Sequence, residues 1–365
     1  MNETTTRRDV LINSLAVATG VVANAGSAAR ASTAGRFRVA VTGDFENMAL
    51  KAADWSLLGS DAEVVSFSKP LRTAHETATA LRDFDAVTLM HERVAMPKDV
   101  LDVLPRLKLI VFSGNAVSNL DDQAARRRNI VICKSAPTTA VTPADAGGSP
   151  PSELTLGLIM DCARRISAAD AIMRRGGWTL PAGIALRGKV LGIVGYGDVG
   201  KPVGTYGRAL GMRVLGFSRG LSDEAARADG VTRADLETLL RTSDVVSIHL
   251  PLTPQTRGMI SARELGWMKP GSIFINAARA AIVDEAAVLQ ALRTRHIGMG
   301  GFDVFWQEPV PANHPLLHLD NVVLTPHVGY VTDDTMIVRY QGLLEVLAAY
   351  RQGNIKDRYV PKPRS

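Results

Sequence analysis

The chain is short of sulfur, of aromatic rings and of long apolar runs. Only two cysteines, Cys133 and Cys162, occur in 365 residues. They form neither a C-x-x-C pair nor a cluster with histidine, which excludes a cysteine-built metal centre. Both sit in apolar stretches and read as small buried hydrophobes, and nothing local argues for a disulfide between them. Aromatic residues make up 5%, and no basic block is interleaved with them. The net charge of +6 therefore reads as a scattered, solvated surface, with no nucleic-acid partner. Beyond the N-terminus no segment is long and apolar enough for a transmembrane helix. What is present is 46% hydrophobic and 21% charged residues, the balance of a soluble globular protein. The length suffices for two domains.

The first stretch has the order of an export signal. Thr6-Arg7-Arg8-Asp9-Val10-Leu11 resembles the twin-arginine consensus, and a short, weakly apolar run follows to about Ala23. Small-residue sites then occur at Ala23-Asn24-Ala25 and Ala29-Arg30-Ala31. Residues 1–35 are expected to be a signal peptide and linker, with a periplasmic address and no stable membrane insertion after cleavage. If the extension is not a working signal, the address is cytoplasmic.

From Phe37 onward, apolar runs alternate with amphipathic segments. The runs include Phe37–Val41, Ala86–Met90, Leu107–Phe112 and Ile130–Cys133, with helical periods over Met48–Leu58 and Val100–Leu104. Continuous Val/Ile/Leu runs between helices predict a parallel sheet covered on both faces. Thr138–Pro151 is rich in Thr, Pro, Ala and Gly and reads as a linker or flexible loop. A long helix is expected from Ser152 to about Arg175, with Leu154, Leu158, Cys162 and Ile166 on one face. The strand–helix alternation then resumes from Lys189 to about Pro326. A last amphipathic helix covers roughly Asp334–Arg351 and stops at Gly353.

Arg187–Val194 is a strand candidate that runs into Gly195-Tyr196-Gly197-Asp198-Val199-Gly200, then helical sequence, then a second strand at Arg213–Phe217. A lone G-x-G-x-x-G says little, but strand before, helix after and second strand at the right distance make a dinucleotide loop. Gly195 allows the tight turn, Gly197 the close approach of a pyrophosphate, and Gly200 the close helix–strand packing. The second strand ends in Ser218-Arg219, with no acid to accept from a ribose 2′-hydroxyl. Arg219 can instead meet a 2′-phosphate, so the cofactor is expected to be NAD(P), leaning to NADP.

Three further islands lie at strand ends: Asn276 to Glu285 containing Arg279, Gly301 to Pro309 containing Asp303 and Glu308, and Leu324 to Gly329 containing His327. In open α/β sheets ligands bind beyond the carboxyl ends of the strands. With the glycine loop, these islands and their order resemble the D-isomer-specific 2-hydroxyacid dehydrogenase family, from about Phe37 to Gly353. The resemblance implies that Arg279 binds the substrate carboxylate and polarises its carbonyl. His327 would be the acid/base, and Glu308 would bond His327 and favour its protonated form. Asp303 would sit near the nicotinamide, with Pro251 and Ala278 among the cofactor contacts. It also implies a substrate loop at Ser113-Gly114-Asn115-Ala116, a pocket-side Arg93, and a homodimer formed through the cofactor domain. The physics agrees with these roles. Histidine serves proton transfer in both directions near neutral pH, and a guanidinium holds a carboxylate by two parallel bonds.

The expected architecture is two doubly wound parallel-sheet α/β domains. A Rossmann-type NAD(P) domain (150–330) is inserted into a flavodoxin-like substrate domain (36–149, completed by 331–365). The expected activity moves a hydride between the nicotinamide and a small 2-hydroxy or 2-keto acid of D configuration. The rivals are a non-catalytic dinucleotide-binding regulatory protein of this fold and the formate or phosphite branch of the superfamily. One departure stands out: Ala280 follows Arg279 where the family usually has glycine, which predicts strain if that position needs a positive φ.

Overall fold

The computed structural model describes residues 35–114, 117, 119–135, 149–179 and 182–355. The export-signal reading and most of the Pro/Gly-rich 138–151 stretch lie outside these residues. Twelve strands are present in them. β1 (Phe37–Thr42), β2 (Ala62–Phe67), β3 (Ala86–Met90), β4 (Leu109–Ser113) and β5 (Val131–Lys134) form one sheet in the order β2-β1-β3-β4-β5. A second sheet holds β6 (Val190–Val194), β7 (Arg213–Phe217), β8 (Thr232–Arg233), β9 (Val245–Ile248), β10 (Ser272–Asn276), β11 (Ile297–Phe302) and β12 (Val322–Leu324). Its order is β12-β11-β10-β9-β6-β7-β8.

All pairings within the two sheets are parallel. The first order is flavodoxin-like; the second is the Rossmann order with one strand added at the far edge. In each sheet one strand has neighbours reached in opposite directions, β1 between β2 and β3, and β6 between β7 and β9. Such a switch point opens a crevice at the carboxyl ends of the strands.

Burial on both faces explains the uninterrupted apolar strands. In the first sheet Ala40, Val87, Leu89 and Ile110 pack to one side and Val39, Val41, Met90 and Val111 to the other. The second side is covered by the C-terminal helix Asp333–Arg351 through Met336, Tyr340, Leu343, Leu344 and Leu347, so the end of the chain completes the first layer. Helix Pro150–Arg164 lies on the second sheet instead. A Cβ built on Gly301 of β11 would meet Cys162 Sγ and Leu158 Cβ, both at 3.3 Å.

Three expectations need correcting. The long helix breaks at Arg165, which takes a left-handed conformation (φ 55, ψ 44). Asp161 secures the break: its carbonyl accepts from Arg165 N, and its carboxylate accepts from Ser167 N and Oγ. A second helix, Ile166–Arg174, then runs with no buried residue, so Ile166 does not share the face of Leu158 and Cys162 but is 52% exposed. Met48–Leu58 is likewise two short pieces, Ala49–Ala52 and a 3-10 turn Trp55–Leu58 whose start Asp54 caps.

Candidate active site

The glycine loop has the geometry its spacing requires. Gly195 has φ +104, and an added Cβ would lie 2.6 Å from the carbonyl carbon and oxygen of His249. Only glycine fits that turn. At Gly200 a Cβ would lie 2.1 Å from the Gly195 carbonyl oxygen, so the helix Gly200–Ala209 starts hard against the loop. Gly197 is the opposite case, with nothing within 4 Å of an added Cβ. Asp198 is exposed, and Val199 caps the helix without a side-chain bond; Lys201 N already donates to the Gly197 carbonyl at 2.8 Å and Pro202 has no N–H, so in the first turn Gly200 N is the group left for an anion. Residues 195–200 thus fit the pyrophosphate of a dinucleotide.

β7 ends in a shallow depression of about 360 Å³ lined by Phe217, Ser218, Arg219, Arg233, Ala234 and Asp235. Asp235 is an acid that the reading of Ser218-Arg219 missed. Its carboxylate already accepts from Thr238 N and Thr238 Oγ1, both at 2.8 Å, and these bonds hold it below the usual carboxylate range.

Arg279, Glu308 and His327 follow β10, β11 and β12, three adjacent strands. His327 Nδ1 meets Glu308 Oε2 at 2.6 Å, and Glu308 Oε1 accepts from Phe305 N at 2.9 Å. With Nδ1 committed, Nε2 is the nitrogen left for proton exchange. Arg279 Nη1 donates to the carbonyl of Ala278, and no carboxylate pairs with the guanidinium among the described residues. The strain expected at Ala280 does not arise. Ala280 has no positive φ; it opens a 3-10 turn, Ala280–Ile282, and is buried. Pro251 lies just beyond β9 and accepts from Thr256 Oγ1.

His327 itself has φ 54, a conformation that costs a non-glycine residue energy. Asp303 holds the loop in place. It is 1% exposed; Oδ1 accepts from Thr325 Oγ1 (2.6 Å) and Val328 N (2.8 Å), and Oδ2 from Gly329 N (2.9 Å). Burial pushes this carboxyl up, against the pull of those donors and of His327.

Ser113 and Gly114, at the end of β4, approach the same region; Asn115 is outside the described residues. Gly114 has φ +118, and its Cβ would lie 2.7 Å from His91 Nδ1. His91 packs on Tyr330 at a tilt of 35° (centroids 4.1 Å apart), and the rings of Tyr330 and His327 meet edge-on at 6.1 Å. Burial, then the charges of Arg339, His327, Arg279 and Arg93, push His91 down to about 2. His91 is therefore neutral and sits where the two halves of the site converge. Arg93 is not free to clamp a substrate. It makes two 2.7 Å bonds to Glu46 and one of 2.6 Å to the Gly43 carbonyl; burial works against its charge, but Glu46 with Tyr330 and Tyr340 together keeps that charge favoured.

The D-isomer specific 2-hydroxyacid dehydrogenase NAD binding domain matches residues 156–329. A glyoxylate reductase of Aeropyrum pernix is 38% identical over 297 residues, covering 78% of this chain and 86% of the relative. The chain belongs to the D-isomer-specific 2-hydroxyacid dehydrogenase family. A D-3-phosphoglycerate dehydrogenase of Methanocaldococcus jannaschii is 33% identical over 294 residues, 80% of this chain. The dehydrogenase described here spans about half of that relative, 54% of its length. A solved phosphoglycerate oxidoreductase from Vibrio cholerae O395 superposes with a TM-score of 0.78 at 27% identity, over 87% of this chain and 99% of the other. The family's chemistry is oxidoreduction by hydride transfer, with a Rossmann-type domain for the dinucleotide.

Sequence reasoning missed His91, Tyr330 and Arg339 around this dehydrogenase's candidate site, and Arg233 and Asp235 at the mouth of β7. His91 lies two residues before Arg93 and could have been found there. The others had no local signal, because only folding brings them together.

Proposed function

We propose that the chain reduces a small 2-keto acid to the D-2-hydroxy acid, preferring NADPH to NADH. The observation that carries the reading is the 2.6 Å contact of His327 Nδ1 with Glu308, one strand-end away from an unpaired Arg279. In this reading Arg279 and the Ser113-Gly114 turn hold the substrate carboxylate. His327 Nε2 gives its proton to the ketone oxygen while Glu308 keeps the imidazolium oriented and charge-compensated. Residues 195–200 would hold the pyrophosphate of a dinucleotide, which would supply the hydride from its nicotinamide when bound. Asp303 and the buried strand ends keep His327 from drifting. A panel of glyoxylate, hydroxypyruvate, pyruvate and phenylpyruvate with each cofactor tests the reading. Dinucleotide binding without turnover of any of them would favour the regulatory alternative.

The preference for NADPH rests on Arg219 and Arg233 at the mouth of β7, with no acid directly after the strand. Arg233 is shared with Asp223 at 3.4 Å, and Asp235 adds an opposing charge, so Arg219 carries most of the reading. A bond to a charged group is worth roughly 1.5–3 kcal/mol, about one to two decades in affinity. Arg219→Ala should lower kcat/KM for NADPH by about tenfold or more and leave NADH within a few-fold. A wild type that prefers NADH ends this part of the reading.

Dimerisation and address belong to the same proposal. Helix Ile166–Arg174 buries none of its residues, and Ile166, Met173, Trp178 and Ile184 are exposed, a face suited to a second copy. Light scattering checks it. The Arg7-Arg8 segment supports periplasmic export, and Arg7→Lys with Arg8→Lys should trap the precursor inside.

A further inference from the structure

The turn after β4 is held by residues far from it in sequence. Ser113 is buried, whereas Gly114 is half-buried and bends at φ +118. Three supports fix this pair. His91 N donates to the Ser113 carbonyl at 3.0 Å. The His91 ring lies so close to Gly114 that a Cβ there would be 2.7 Å from Nδ1. The third support is Arg339, whose Nη1 donates to Ser113 Oγ at 2.9 Å, the one side-chain bond of that hydroxyl among the described residues.

Arg339 is itself fixed. Its guanidinium packs on the Tyr330 ring at 5.0 Å from the centroid. The next residue, Tyr340, donates to the buried Asp44 carboxylate at 2.9 Å, which pins the C-terminal helix Asp333–Arg351 just beyond the end of β1. Yet Arg339 is an expensive brace. Its Nε is buried without a partner, and no carboxylate pairs with it among the described residues. Burial, helped by the charge of Arg93, disfavours its protonated state. A neutral donor would hold a serine hydroxyl at lower cost, so stability alone does not account for a guanidinium here. A turn that receives an anion does, because the entering carboxylate lowers that cost.

Resting on the dehydrogenase reading above, in which this turn holds the carboxylate of the keto acid, we propose that Arg339 is a positioning residue: it keeps the Ser113-Gly114 turn in the conformation that receives the carboxylate. It acts through Ser113 and not on the reacting carbon. Its loss therefore weakens ground state and transition state alike, equally for every 2-keto acid, and appears in KM and not in kcat.

The test compares Arg339→Met, Ser113→Ala and the double variant with the wild type, using glyoxylate and pyruvate. A methionine side chain keeps an unbranched apolar stem beside Tyr330 and removes the donor and the charge. Arg339→Met should raise the KM of both keto acids by about tenfold and the inhibition constant of oxamate by the same factor, with kcat within about threefold and the KM of the cofactor unchanged. Ser113→Ala breaks the same bond from the other end without touching the helix. It should show the same split, and it carries the test if Arg339→Met does not fold. The double variant should be no worse than the poorer single one, because both remove one interaction. Keto acid KM values within about twofold of the wild type in either single variant overturn the proposal. So does a rise in cofactor KM, or a fall in kcat, as large as the rise in substrate KM, because the fold as a whole would then be disturbed. Single effects that multiply in the double variant overturn it too, since Arg339 would not act through Ser113. In all of these cases turnover by the wild type leaves the dehydrogenase reading standing. If the wild type turns over no keto acid, both fall.

Discussion

Replacing Asp303 by asparagine separates two roles for that residue, anchor of the His327 loop and contact to the cofactor. The carboxylate has three donors and is almost fully enclosed. Asparagine keeps one acceptor oxygen. If that oxygen stays with Thr325 Oγ1 and Val328 N, the new amide group faces Gly329 N, donor against donor. A bond to a charged acceptor is worth about 1.5–3 kcal/mol. Some of this returns, because burial pushes the Asp303 carboxyl up and the neutral amide avoids that cost. The balance is about 2 kcal/mol of destabilisation. At about 2–4 °C per kcal/mol, Tm falls by about 4–8 °C. The rate falls too. His327 keeps its left-handed backbone only while Val328 and Gly329 are held, and such strain is worth about 1–3 kcal/mol. Letting it relax moves the imidazole away from the substrate and lowers kcat by about tenfold or more. Calorimetry and steady-state kinetics on Asp303→Asn check both numbers. An unchanged Tm with a tenfold rise in the KM of the cofactor would refute the anchoring argument and make Asp303 a cofactor contact.

Other consequences can be measured as directly. His327→Ala should lower kcat by about 10²–10⁴ with the fold intact, and near-normal turnover would remove the proton-transfer role. Gly195→Ala places a methyl 2.6 Å from the His249 backbone at φ +104, so the variant should lose dinucleotide binding by titration calorimetry together with several degrees of Tm; unaffected binding would contradict the loop geometry. Stability should fall in acid. Burial pushes His249 down to about 4, and burial with nearby cations pushes His91 to about 2. Below about 6.5 the unfolded chain takes up protons that the folded chain refuses. From pH 8 to pH 5 each histidine should cost about 2 kcal/mol, read from urea midpoints, and His249→Asn should remove about half of the slope. A flat profile between those pH values would show that neither histidine is held neutral.

The strand at Ala86–Met90 coincides with a run read from the sequence, and Arg213–Phe217 with the second strand expected after the glycine loop. Ala86–Met90 is a continuous apolar segment buried along its whole length, the signature of a strand covered on both faces. β2 escaped notice because it is an edge strand whose residues Ala62–Phe67 are all half-buried and include Glu63 and Ser66. The break at Arg165 escaped because the left-handed residue is an arginine, where glycine would have announced it. Ala280 misled in the other direction. Its substitution for glycine looked costly, but the backbone there needs no positive φ.

The site divides along the same physical line. Arg279, Glu308 and His327 were legible because each follows an apolar strand in the order the resemblance implies, and adjacent parallel strands bring their ends together whatever the loops contain. Arg339 had no such mark. It lies on a helix among alternating polar and apolar residues, 226 positions from the serine it bonds. Only the docking of the C-terminal helix on β4 makes it part of the cleft. The proposed catalytic trio is thus written into strand order, whereas Arg339 reaches Ser113 only through the packing of the last helix.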